Sequence, residues 1–438
     1  MHIDILPKPD DNNGWLETLP ALPASAPAAG AITADYAVIG AGFAGLAAAR
    51  RLGELAPERS IALIEAGRIG NNAAGRCSGF AIDQAHDIRA KNFADALDHE
   101  RAQIALNRSG QDYLRQTVHE QGIDCDWREE GKIHGAATGH GEDMLTAYSR
   151  NLDLLDAPYE AMDAAQMRDT CGTSFYTSGL FTPGTILVQP AALVRGLAAT
   201  LPENVTVYED SPVVAVDYGK PHRLNTPGAT VSARTLVLAN NGFAAGFGFY
   251  RQHMIPISTY ASLTRALEAE EAERLGGRES WGIIPADPFG TSVRRTADGR
   301  ILIRNIYTYS RSFNPSEAQR AWTRARHRRS FENRFSMLPD VPFEYTWGGP
   351  MALSRNGAPV FGKLADGVHA SLICNGVGIA RGTICGKLLA ESLCGVDSEL
   401  LRNMQAAGRP SRNPPALLLG VGVRLDFARR RARAGLEL

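Results

Sequence analysis

Residues 35 to 65 constrain this chain more than any other stretch. Asp35-Tyr36-Ala37-Val38-Ile39 is a short apolar run of strand type, and Gly40-Ala41-Gly42-Phe43-Ala44-Gly45 follows it directly. Leu46 to Leu52 then reads as an alanine-rich helix, Pro57 ends that region, and Ser60 to Ile64 reads as a second strand closed by Glu65. A G-x-G-x-x-G alone is weak evidence, because glycine turns are common. Here strand, glycines, helix, second strand and acid arrive in order, which specifies a dinucleotide site. Gly40 lets the chain turn tightly out of the strand, Gly42 lets a pyrophosphate rest on bare backbone, and Gly45 allows the helix to pack close to the sheet. Phe43 and Ala44 stand at the helix N-terminus, where free N–H groups and a partial positive charge favour phosphate. Glu65 can accept hydrogen bonds from a ribose, and its charge repels the 2′-phosphate of NADP.

The rest of the chain must accommodate that unit. At 438 residues it is long enough for about two domains. Lysine plus arginine (46) balances aspartate plus glutamate (47), so no net field points to nucleic acid. The six cysteines, Cys77, Cys125, Cys171, Cys374, Cys385 and Cys394, form no C-x-x-C pair, which argues against a disulfide scaffold or a metal site. The first residues lack a basic segment followed by an apolar one, and no stretch approaches the roughly 20 apolar residues that span a bilayer. The expected location is the cytoplasm, with no membrane partner.

After Glu65 and Ala66 the chain runs Gly67-Arg68-Ile69-Gly70-Asn71-Asn72-Ala73-Ala74-Gly75-Arg76-Cys77-Ser78-Gly79-Phe80. This small-residue loop resembles the segment that crosses the flavin in the D-amino-acid-oxidase-like (DAO) superfamily of FAD-dependent oxidoreductases. Gly70, Gly75, Arg76 and Gly79 match the family pattern. Asn72, Ala74 and Cys77 depart from its commonest residues but stay small or polar. Val188-Gln189-Pro190 with Leu193 and Leu197 is similar to its h-x-P-x-x-L helix start. Asn204 to Asp217 resembles the strand pair in which a residue at Val213 holds the adenine, and Thr235 to Gly242, with Ala239 and Gly242, resembles the strand that ends beside the cofactor. Asn375-Gly376-Val377-Gly378-Ile379 before a helix resembles the glycine turn at the pyrimidine edge of the flavin. Within the superfamily the chain is most similar to the gamma-glutamylputrescine oxidase group. Ile123 to Arg128, Arg294 to Arg300, Trp347-Gly348-Gly349 and Leu353-Ser354-Arg355 carry that likeness.

The resemblance implies a Rossmann-type FAD-binding α/β domain with an inserted mixed or antiparallel-sheet substrate domain, of glutathione-reductase-2-like DAO type. It implies non-covalent FAD, because Asn71-Asn72 and Met351-Ala352 stand where flavin-linking relatives carry histidine or cysteine. It further implies oxidation of an amine, whether a glutamylated polyamine or an amino acid, to an imine by hydride transfer to flavin N5, then hydrolysis. Oxygen or another acceptor takes the electrons. Such chemistry demands positioning more than acid–base groups. Candidate substrate-positioning residues are Arg294, Tyr307, Trp347 and Arg355, with Arg304 and Tyr309 as further contacts. An arginine facing the flavin could fork a carboxylate. Alternation along one strand puts Tyr307 and Tyr309 on one face. His86, His134 and His253 receive no role.

Residues 1–34 read as a lead-in tethered by Trp15 and Leu16. The FAD domain is expected from 35–90, 155–240 and 345–400, the substrate domain from 91–154 and 241–344. Ser292 to Arg304 reads as a hairpin turning at Asp298-Gly299. Residues 401–438 form a tail whose Arg424, Arg429, Arg430, Arg431 and Arg433 give a helix one basic face, packed on the domain or on another subunit. A flavin monooxygenase would need G-D-A-x-H where Cys374-Asn375-Gly376-Val377-Gly378 stands. A flavin-binding protein without turnover is a further alternative.

Overall fold

All four residues of the strand Ile61–Ile64 are buried, as a central parallel strand covered on both faces requires. The computed structural model describes residues 1–8, 12–21, 23–84 and 93–438, without the side chains of 93–96; His86 lies outside the described residues. Ile61–Ile64 pairs in parallel with Gly30–Ile39 on one side and Val205–Tyr208 on the other. Gly30–Ile39 pairs in turn with Ala229–Leu238, and that strand with Val368–Leu372, again in parallel. Val360–Ala365 closes one edge in the antiparallel sense. The first strand starts at Gly30, ahead of the apolar run at Asp35, because Gly30 to Ala34 pair with Ala229 to Ala233. Two helices cover the glycine turn, Phe43–Leu55 and Thr383–Leu393. They touch so closely that a Cβ on Gly386 would lie 2.0 Å from the Ala44 carbonyl oxygen.

The second eight-stranded sheet runs Phe343–Leu353, Ile255–Thr264, Ile301–Tyr309, Ser292–Arg295, Trp281–Pro285, Lys132–Ala136, Ser178–Thr182 and Glu160–Asp163. Its pairs are antiparallel except Trp281–Pro285 with Lys132–Ala136. Ser292–Arg295 and Ile301–Tyr309 form the hairpin the sequence predicts, with Gly299 at φ +77° in its turn. Three strands fall in a different sheet from the one expected. The sequence places Glu160–Asp163, Ser178–Thr182 and all but the first two residues of Phe343–Leu353 with the nucleotide-binding segments, yet all hydrogen-bond here. Alternation fixes which face of a strand is buried and leaves its partner open; Phe343–Leu353 finds its partner in Ile255–Thr264, about ninety positions earlier.

Both chain ends are structural. Trp15 is buried in the short helix Gly14–Glu17, and its Nε1 donates to the Cys77 carbonyl at 2.7 Å. The tail forms two helices, Glu399–Ala406 and Ala416–Ala434. The second lies along the hairpin, where a Cβ on Gly420 would stand 3.1 Å from the Tyr309 ring. Before it, Asn413 donates through its N–H to Gln252 O at 2.7 Å and through Nδ2 to Met254 O at 3.0 Å. After it, the Glu437 carboxylate accepts from Ala137 N–H and Thr138 Oγ1, each at 2.9 Å. Among the described residues no helix is long and apolar enough to cross a membrane.

Candidate active site

One continuous cavity of about 1180 Å³ is lined by residues of both sheets. At its nucleotide end lie Gly40, Gly42, Phe43 and Ala44, with Glu65 and Ala66 beside them and Val213, Ala239 and Gly242 across from them. Gly42 occupies the N-cap of Phe43–Leu55 and no side chain caps that helix, so its first N–H groups are left for something else. Gly45 does not line the cavity. A Cβ there would stand 1.8 Å from the Gly40 carbonyl oxygen, so its glycine serves the packing of helix on turn. The Glu65 carboxylate is buried, and Oε2 accepts from the Ala41 N–H at 2.8 Å. Its Oε1 accepts from Asn72 Nδ2 at 2.6 Å. Burial raises the Glu65 pKa, against the lowering effect of these N–H donors. Asn72, a departure from the family's usual glycine, thus ties the glycine turn to the next loop.

That loop makes a 3-10 turn at Ala73–Arg76. Ala73, Ala74, Gly75, Arg76, Cys77 and Ser78 all line the cavity, and Gly376, Val377, Gly378 and Ile379 face it from the start of the helix region before Thr383. Residues 378–382 form a π-helical turn, a local widening frequent at functional sites. Arg76 is held from behind: Nε donates to Asn71 O at 2.6 Å and Nη1 to Gly348 O at 3.0 Å.

Trp347 and Arg294 do not line the cavity. Trp347 is fully buried, and its Nε1 donates to the Arg76 carbonyl at 3.0 Å. Arg294 is likewise fully buried, donates to the Val188 carbonyl, pairs with Asp126 at 3.4 Å and lies 5.4 Å from the Trp15 ring centre. Burial brings its pKa down to about 10, with Asp126 opposing. Ser292, one rung away on the same strand, does line the cavity; at Arg294 the cavity has already closed under Gly79 and Val188. Both side chains therefore brace the loop from outside. Trp347→Phe removes one buried hydrogen bond and is expected to cost about 1–3 kcal/mol of stability. The measurement is denaturant unfolding beside steady-state kinetics, with KM unchanged within about twofold; a large KM rise with stability intact would place Trp347 on the substrate.

The far end holds Arg304 and Tyr307, whereas Arg355 lines the cavity near the 376–379 turn, the preceding Ser354 donating its N–H to Asn375 Oδ1 at 2.9 Å. Strict alternation would point residues 304 and 307 to opposite faces. The register shifts opposite Thr259 and Tyr260, and Ile306 takes φ +62°, a costly conformation for a β-branched residue. This bulge turns Tyr307 onto the face of Arg304, with Arg304 Nη1 donating to Tyr307 Oη at 2.6 Å and its guanidinium 4.7 Å from the ring centre. Among the described residues no carboxylate pairs with Arg304. Tyr309 shares the face of Tyr307, as alternation predicts, but lies beneath Gly420 and Arg424, outside the cavity. Arg355 is exposed at the mouth.

Several lining residues were not anticipated. Asn240 and Phe243 flank Gly242, and Lys132 and His134 line the cavity from a strand three places along the sheet from Arg304. Burial brings Lys132 down to about 8, against Asp83 at 3.9 Å. Phe289, Val423 and Phe427 close the end beyond Tyr307. A lone lysine and a tail helix carry no motif; only the fold brings them here.

The nucleotide end fits a flavin dinucleotide on its own evidence. A Cβ on Gly42 would meet only Ala74 Cβ at 3.5 Å, and one on Gly378 only Cys374 Sγ at 3.5 Å, so no protein neighbour forbids a side chain at either position. What needs bare backbone there is the occupant of the cavity. Asn240 Oδ1 is buried without a hydrogen-bond partner, an acceptor that a polar occupant can satisfy. The family model "FAD dependent oxidoreductase", DAO, matches residues 35–392. The chain belongs to this family. As a DAO-family FAD-dependent oxidoreductase it uses FAD, and the turn at 40–44, Glu65, the loop 73–78 and the turn at 376–379 line the cavity where residues would hold it.

Relatives agree over most of the DAO chain's length. It is 27% identical over 399 residues to a probable oxidoreductase OrdL of Rhizobium meliloti, covering 88% of this chain and 89% of the relative. To the gamma-glutamylputrescine oxidoreductase of Escherichia coli K12 it is 25% identical over 369 residues, 83% of this chain and 84% of the relative. Among solved structures, glycine oxidase from Geobacillus kaustophilus superposes with a TM-score of 0.70 at 18% identity, over 84% of this chain and 96% of that one.

Proposed function

We propose that the enzyme oxidises an amine that also carries a carboxylate, an amino acid or a glutamylated amine, to the imine, which water then hydrolyses. The observation that supports this is Arg304, a cation facing a largely apolar cavity with no acidic partner among the described residues. A guanidinium favours a carboxylate held through two parallel hydrogen bonds. Tyr307 restricts that guanidinium from one side, so the anion that docks there arrives in a defined orientation. Ile257, Ile284 and Phe289 line the same zone and exclude water; an apolar wall also disfavours the ammonium form of the amine, leaving the lone pair free to assist departure of the α-hydrogen. Bound FAD supplies the two-electron acceptor. Its attachment is non-covalent: residues 71 and 72 are asparagines, and burial raises the pKa of the Cys374 thiol, suppressing the thiolate that a covalent bond requires. The Escherichia coli relative, a gamma-glutamylputrescine oxidoreductase, is named for a glutamylated amine of this class.

The test is an anaerobic panel of amino acids, glutamylated polyamines, simple amines and 2-hydroxy acids, scored by bleaching of the flavin band. At least one carboxylate-bearing amine should bleach it, and faster than its decarboxylated counterpart. Bleaching by hydroxy acids alone, or equal rates with and without the carboxylate, would overturn the assignment.

A further inference from the structure

The helix Ala416–Ala434 lies beyond the family match, which ends at residue 392. Nevertheless Leu419, Val423 and Phe427 line the cavity from it at helical spacing, with the Asp426–Arg430 ion pair beside them at the rim, where Arg430 lies over the Phe289 ring. The Phe427 ring packs on Phe289 (centres 5.4 Å apart) and on Tyr307 (6.1 Å), and those two rings lie 5.1 Å apart. The three-ring wall therefore stands next to Arg304, which stacks on Tyr307. The helix is tied at both ends, by Asn413 before it and Glu437 after it, while its outer side chains Leu417 and Leu425 are exposed. Such tethering fixes the wall in place.

We infer that this helix makes an apolar specificity subsite, with Phe427 its determining side chain, which takes an apolar chain or ring on the substrate whose carboxylate docks at Arg304. The inference rests on the Arg304 reading and adds what the other end of the substrate is. A small carboxylate reaches only the arginine; a carboxylate bearing a ring also contacts Phe427 and Val423. Aromatic contacts of this kind are worth about 0.5–1.5 kcal/mol beyond area burial, so the selectivity is measurable in simple anions.

The experiment titrates the FAD-loaded enzyme with acetate and with benzoate, following perturbation of the flavin spectrum. The parent should hold benzoate at least about tenfold tighter than acetate. Phe427→Ala should reduce that ratio about fivefold or more while acetate changes less than about twofold, and Leu425→Ala on the outer face should change neither. Val423→Phe, which fills the subsite, should weaken benzoate and spare acetate, and it decides the matter should Phe427→Ala fail to fold. Equal affinities in the parent, or equal loss of both anions in Phe427→Ala and Val423→Phe, would overturn the subsite. Arg304→Met separates the two readings: it should weaken both anions with their ratio kept. Unchanged acetate binding in that variant overturns the arginine reading alone, whereas silence of both anions in the parent overturns the two together.

Discussion

Gly42→Val is expected to give a folded but colourless protein. A Cβ at this position meets nothing closer than Ala74 Cβ at 3.5 Å, and no left-handed backbone is required there. The apoprotein should therefore unfold within about 1 kcal/mol of the parent apoprotein, as for an uncrowded substitution. The valine methyls, however, project where the diphosphate must rest against the helix N-terminus. Loss of that approach should weaken FAD by at least about a hundredfold, and with it the stabilisation that bound ligand confers. Gly45→Val supplies the contrast. Its Cβ would collide with the Gly40 carbonyl at 1.8 Å, so the apoprotein itself should lose about 3 kcal/mol or more. Fluorescence titration with FAD and denaturant melts of the apo forms read the two effects separately. If Gly42→Val retains flavin, the diphosphate lies elsewhere.

Arg304→Met is expected to leave the flavin bound and to lower kcat/KM for a carboxylate-bearing amine by about 10²–10³, the usual consequence of removing one partner of a desolvated charge pair. Amines lacking a carboxylate should be affected less than about threefold. The loss should appear mainly in KM if the arginine only anchors the substrate, and in kcat as well if anchoring sets the alignment of the α-hydrogen. Stability should stay nearly level, because the half-buried guanidinium has no anionic partner among the described residues to abandon and gives up one hydrogen bond to Tyr307. Steady-state kinetics on paired substrates, with the visible spectrum as control, make the measurement. A uniform fall across both substrate types would assign Arg304 to the fold.

The nucleotide end was legible because its constraints are local. Strand, glycines, helix and Glu65 follow one another within a short stretch, and each residue acts on its neighbours. The substrate end was less so, since its geometry depends on long-range pairing. Nothing near Ile306 announces a bulge, yet that residue puts Tyr307 beside Arg304 in defiance of alternation. Arg294 and Arg304 share one hairpin and look equivalent in sequence; a segment from elsewhere, Gly79 with Val188, covers the first and leaves the second open. Trp347 matches a motif and turns out to hold a carbonyl of the loop it stands behind. The tail reads as a basic helix packed on the domain or on another subunit, yet two of its arginines turn inward: Arg424 lies over the Tyr309 ring, and Arg430 over Phe289 at the cavity. The inward row of Leu419, Val423 and Phe427 has ordinary amphipathic spacing, which cannot distinguish packing on a core from lining a cavity.

The bracing of the flavin loop bears on when the protein can acquire its colour during synthesis. The Cys77 carbonyl is held by Trp15, the Arg76 carbonyl by Trp347, and the Ala44 carbonyl lies against Gly386. Trp15 precedes Cys77 by 62 residues, but Arg76 must wait 271 residues for Trp347 and Ala44 some 340 for Gly386, and contacts so distant along the chain form late. A chain that has made the complete glycine turn therefore still lacks the Trp347 and Gly386 contacts that brace the flavin loop and the first helix.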